Sequence, residues 1–139
     1  MHHTRFLPHR FIVAIGGYPG PFYSLKLHGD NLQYEATQHA SAEPQQEVLS
    51  IDEEKWMSFW TRLDKIGIWD WQLEYQNPGI CDGTHWLVDI AISGRSITCR
   101  GYNNYPNSKG GPSGKPEPTP AFNQFLEAVC TLIEGRDFR

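Results

Sequence analysis

Apolar and polar residues alternate most regularly from His85 to Ile92: Trp86, Val88, Ile90 and Ile92 fall on one side, His85, Leu87, Asp89 and Ala91 on the other. A period of two rich in β-branched residues predicts a half-buried strand. Gly94-Arg95 reads as a two-residue turn, and residues 96–102 return with Ile97, Cys99 and Gly101 inward. That turn sets Ser93 opposite Ser96, Ile90 opposite Cys99, and Asp89 opposite Arg100, an ion pair on the outer face. A second hairpin is predicted over 22–28 and 32–38, with Tyr23, Leu25 and Leu27 facing the side of Leu32, Tyr34 and Ala36. Asp30-Asn31 as its turn places Leu27 opposite Tyr34 and Lys26 opposite Glu35; Gly29-Asp30 is the alternative corner. Residues 11–17 form a leading strand, and the glycines and prolines of 16–21 then interrupt regular structure.

Two segments show helical spacing instead. Ser50 with Glu53 has the form of a capping box. Behind it Trp56, Phe59, Trp60, Leu63 and Ile66 make one stripe, closed by Gly67. Near the C-terminus Thr119 caps a helix with Pro120 at its first position, and Phe122, Phe125, Leu126, Val129, Leu132 and Ile133 supply the stripe. Residues 68–75 alternate Trp69, Trp71 and Leu73 with Asp70, Gln72 and Glu74, as in a strand. Residues 40–46 read as loop, and 106–118, rich in Pro, Gly, Ser and Lys, as a mobile loop.

The order predicts one α+β domain over residues 1–139, in two layers. An antiparallel sheet of five to six strands carries both helices on one face, with a suggestion of a hairpin-plus-helix pseudo-repeat. The other face is then wet and carries Lys26, His28, Gln33, Glu35, Asp89, Thr98 and Arg100.

Composition narrows the function classes. The net charge of −4 over 139 residues gives no basic footprint for nucleic acid. No apolar run approaches the roughly 18 residues a membrane span needs, so no membrane partner is expected. The three cysteines, Cys81, Cys99 and Cys130, are odd in number and lack CxxC spacing, which fits a reduced, cytoplasmic compartment. The acids between Glu43 and Glu54 read as solvated surface.

Chemical motifs are sparse. Residues 110–115 superficially resemble a phosphate loop, but Lys109 stands where its first glycine belongs and Pro116 where Ser or Thr is required. Cys81, Asp82 and His85 are close enough in sequence to suggest metal ligands or a Cys–His pair. The set is incomplete, and Asp82-Gly83 reads first as a turn, so neither metal nor cofactor is expected. Acid pairs suited to glycosidase chemistry, Asp70 with Glu74 or Asp82 with Asp89, have no fixed separation in a sequence. Residues 101–106, GYNNYP, form a strand exit whose tyrosines and asparagines are also adhesive residue types. Candidate binding residues are therefore Asp89, Arg100, Tyr102, Asn104, Tyr105 and Lys109.

Asp82-Gly83-Thr84-x-Trp86, Gly94, Gly101-x-Asn103-x-Tyr105-Pro106 and Phe122-x-x-Phe125-Leu126-x-Ala128-Val129-x-x-Leu132 resemble the pattern of a group of small uncharacterised bacterial proteins. The likeness runs from Trp69 to the C-terminus, with a weaker echo in Gly16-Gly17 and the first hairpin. It implies a cytoplasmic bacterial or phage-derived domain and transfers no activity. The leading expectation is a non-enzymatic module of immunity or inhibitor type that binds another protein, its oligomeric state open. The alternative is a small enzyme or small-molecule binder using a Cys81, Asp82 and His85 corner lined by Trp69, Trp71 and Trp86. A third possibility is self-association through an edge strand.

Overall fold

In the computed structural model, which describes residues 6–77 and 83–139, strands come first: β1 (Arg10–Gly16), β2 (Phe22–His28), β3 (Asn31–Thr37) and β4 (Gln45–Leu49). Helix α1 (Glu53–Ile66), a 3₁₀ turn (Ile68–Asp70) and the short β5 (Glu74–Gln76) follow. The hairpin β6 (His85–Ile92) and β7 (Arg95–Tyr102) leads to helix α2 (Pro120–Leu132). The fold is α+β, with one seven-stranded sheet in the order β4-β3-β2-β1-β6-β7-β5. The sheet is mixed rather than antiparallel throughout, because β5 pairs with β7 in parallel.

Alternation in the strands defines the two faces. β1 sets Ile15 beside Trp86 and Phe11 beside Ile90, so the inward residues of both strands share one face. Helix α1 meets that face through Trp56, edge-on to Phe11 at 5.5 Å. Helix α2 meets it through Phe122, 4.8 Å from Trp86. Both helices thus lie on one side, as expected, and the apolar stripes of helices and strands merge into a single core. Residues 136–139 close the first half onto the second. Arg136 grips Glu47 of β4 through two hydrogen bonds of 3.0 and 2.7 Å. Tyr34 Oη donates to the Asp137 carbonyl at 2.6 Å, and Phe138 is buried against Tyr23 at 5.8 Å.

Several expectations need correction. Both hairpins keep the expected faces but slide by two residues. Ser93-Gly94 forms the second turn, with both residues at positive φ (44° and 81°), so Ile92 pairs Arg95 and Asp89 pairs Thr98 rather than Arg100. Two positive φ angles are what a type I′ turn demands, and its twist suits the strands. The first hairpin takes the alternative corner, Gly29-Asp30, pairing Leu27 with Leu32 and Lys26 with Gln33. β4 occupies part of the segment read as loop; it is a polar edge strand of which only Leu49 is buried. Helix α1 is capped by Asp52, whose Oδ1 accepts from Lys55 N at 2.8 Å, two residues beyond Ser50. Residues 68–75 are not one strand: Ile68 and Trp71 are buried and Leu73 is 56% exposed, the spacing of a turn. In the segment after Pro106, Asn107 Oδ1 accepts from Lys109 N and Gly111 N.

Candidate functional site

The outer face of the sheet carries a hollow, and the sequence explains it. Across the strands, Glu35, Ser24, Ala14, Leu87 and Arg100 stand in one row. Thr37, Phe22, Gly16, His85, Tyr102 and Gln76 form the next. The middle of both rows is small, with Ala14, Gly16 and Ser24, whereas larger side chains stand on either side. The result is a trough of about 820 Å³, rimmed by Gly17, Tyr18 and Gly83. Its size falls in the range of ligand pockets.

Gly16 is small for a definite reason. A Cβ there would lie 2.8 Å from both the Phe22 ring and the Pro21 carbonyl oxygen, so the Phe22 ring can fold over the strand only because no side chain is present. On the far wall His85 and Tyr102 stack with centroids 4.2 Å apart and planes at 24°. The charged ends differ. Glu35 accepts from Gln46 Nε2 at 2.9 Å, while the Arg100 side chain has no ion-pair partner among the described residues. Four strand spacings separate these ends, roughly 19 Å.

The sequence candidates divide. Arg100 and Tyr102 line the trough. Asp89 belongs to the adjoining row and is already engaged, accepting from Arg10 Nε at 2.6 Å and Thr98 Oγ1 at 3.0 Å. Asn104 and Tyr105 are interior, 6% and 1% exposed, and do not form an adhesive surface. Lys109 is exposed on the loop after Pro106, away from the trough lining. Of the alternative corner, His85 lines the trough, whereas Trp71 and Trp86 pack on the opposite, helix-covered face with Phe122. Trp69 lies apart from both: its Nε1 donates to Asp64 Oδ1 at 2.8 Å and Arg95 covers its ring at 4.7 Å. The sheet therefore separates His85 from the Trp71 and Trp86 indoles; Trp86 borders the trough together with His85, and Trp71 does not. Cys81 and Asp82 lie outside the described residues.

The described thiols are poor nucleophiles. Burial, with the Asp89 charge adding to it, pushes the Cys99 thiol up to about 12. Burial also raises Cys130. Among the described residues no three His, Cys, Asp or Glu side chains converge as a metal site requires.

Tyr18, Phe22, Ser24, Thr37 and Gln76 border the trough without having been candidates. The readable signal was the run of small residues at outward positions, Ala14, Gly16 and Ser24, flanked by large ones. No helix is long and apolar enough to cross a membrane, among the described residues. No family model and no curated protein sequence matches the chain.

Proposed function

We propose that the chain is a binding module rather than an enzyme, of immunity or inhibitor type and of bacterial or phage origin. Its partner is another protein that docks on the outer face of the sheet. The observation that carries this reading is Tyr18, which stands 72% exposed on the rim of the trough. Its loop is held in place by Gly20 N donating to the Gly17 carbonyl and Ala40 N to the Pro19 carbonyl, each at 2.7 Å. A large aromatic side chain on an anchored loop loses little freedom on docking, which is why tyrosine is a frequent anchor at interfaces. The trough beside it offers the partner mixed polar and apolar relief, with Arg100 and Glu35 at opposite ends to fix orientation. The resemblance of the 82–132 pattern to small bacterial proteins supports the origin.

The test is capture from a bacterial host lysate with three versions of the tagged chain: unaltered, Tyr18→Ala with Arg100→Glu, and Met57→Ser. Met57 is exposed on α1, on the helix side. The reading expects one stoichiometric protein partner held by the unaltered chain and by Met57→Ser and lost from the double variant. Retention by the double variant would show that the outer face is not the docking surface. Absence of any stoichiometric partner would remove the reading itself.

A further inference from the structure

The described arginines differ in one respect. Arg10 bonds Asp89, Arg62 bonds Thr131, Arg95 bonds Asp64, Arg136 bonds Glu47 and Arg139 bonds Asn123. Arg100 alone among them directs its guanidinium at no partner side chain, and it is the one that lines the trough. Its ladder neighbour Glu74, on the edge strand, forms no ion pair with it and does not line the trough. Five N–H donors are thus left facing water at one end of a preformed hollow. The floor beside them is lined by Ala14, Gly16 and Ser24, between Phe22 and Leu87, and is largely apolar.

We infer that the trough binds a small organic anion, a carboxylate on a flat apolar body, with the carboxylate on Arg100 and the body on the Ala14–Gly16–Ser24 floor. A planar guanidinium matches a carboxylate with two parallel hydrogen bonds. The His85–Tyr102 stack limits how far the body slides along β6 and β7. Glu35, at the distant end, repels the anion and so sets its direction. The volume of about 820 Å³ leaves ample room for a bicyclic ring system.

The inference rests on the outer face being the working surface, but the two fail separately. The test is an amide-resolved NMR titration of the full chain with 2-naphthoate and, in parallel, with the uncharged 2-naphthamide. Naphthoate is expected to shift the amides of Ala14, Gly16, Ser24, Leu87 and Arg100 and to bind about five-fold more tightly than the amide, the modest gain of a solvent-exposed charge pair. Arg100→Gln should remove that preference while leaving the shifted amides the same. Ala14→Trp, which fills the floor, should abolish both titrations; Ser24→Leu serves the same purpose by a different residue. Equal affinity for the two probes, or shifts centred elsewhere, would overturn the inference. A failed titration alongside partner capture that depends on Tyr18 would sink the anion site alone. A successful titration with capture indifferent to Tyr18 and Arg100 would sink the partner reading alone.

Discussion

Two segments of similar composition meet opposite fates. Gly16-Gly17-Tyr18-Pro19-Gly20-Pro21 and Gly101-Tyr102-Asn103-Asn104-Tyr105-Pro106 each open on glycine at the end of a strand, carry tyrosine and end on proline, β1 finishing on Gly16 and β7 on Tyr102. The first exposes Tyr18 at 72%; the second buries Tyr105 to 1%. The difference lies in the asparagines. Asn104 Oδ1 accepts from Tyr105 N at 3.0 Å, Gly114 N at 2.8 Å and Ser113 Oγ at 3.3 Å, while its Nδ2 donates to the Gln76 carbonyl at 3.1 Å. Asn103 takes a positive φ of 52° and accepts from Thr84 N at 3.0 Å. Together they satisfy the backbone of a chain that turns inward, so Tyr105 can reach Phe122 at 4.8 Å. The first segment has no side chain to do this. Its backbone bonds to itself and to the 38–40 stretch, and the tyrosine stays outside. An aromatic residue in a glycine-rich exit is buried only when its neighbours can carry the polar backbone in with it.

The contrast can be broken most severely at Gly101. A Cβ there would sit 2.2 Å from Trp86 Nε1 and 2.3 Å from Cε2. Trp86 is buried and its Nε1 is bonded to the Asn104 carbonyl at 3.0 Å, so the indole cannot yield cheaply. Gly101→Ala is expected to cost about 3–4 kcal/mol in urea unfolding. Asn104→Ala should cost about 3 kcal/mol, because it strands four partners at once, the buried Tyr105 N among them. If its midpoint matched that of the unaltered protein, the asparagine account of the inward turn would be wrong.

Alkaline titration sharpens the interior side of the contrast. Burial holds the Cys99 thiol at about 12, and raises the Tyr105 phenol as well. The unfolded chain therefore loses these protons first. Their contribution is complete below about pH 9 and is lost as pH climbs toward 12, at up to about 1.4 kcal/mol per pH unit per group. Unfolding curves at pH 8, 10 and 11 should show that fall, and Cys99→Ala should flatten it. The smallest stability effect belongs to the exposed counterpart: Tyr18→Ala should change stability by less than about 0.5 kcal/mol. The same substitution should weaken partner capture by about ten-fold or more. A thermal melt showing a large loss would instead make Tyr18 a structural residue.

The sequence carried the faces of the fold well and its registers poorly. Period-two alternation says which side Val88 and Ile90 occupy, but a slide of two residues leaves every side unchanged. Only the turn decides, and there Ser93 adopts a positive φ that its identity does not announce. β4 escaped notice because Gln45, Gln46 and Glu47 have nothing apolar to alternate; an edge strand needs only one buried anchor, here Leu49. The aromatic run after α1 looked like a strand because Trp69, Trp71 and Leu73 alternate, yet the tight turn brings Ile68 and Trp71 to the core instead. Arg100 and Tyr102 were legible as outward residues near the hairpin. The trough was not, since a hollow is made by residues that are missing bulk, and it spans strands whose order no local pattern reveals.

Phe138 gives the molecule a direction in time. Its ring lies against Tyr23, and the neighbouring Arg136 reaches back across 89 positions to Glu47. A chain emerging from the ribosome can pair β2, β3 and β4 early, before residues 136–138 are available to pack against them. Between those moments Tyr23 lacks the Phe138 ring and Tyr34 lacks its Asp137 acceptor, which lies 103 positions downstream.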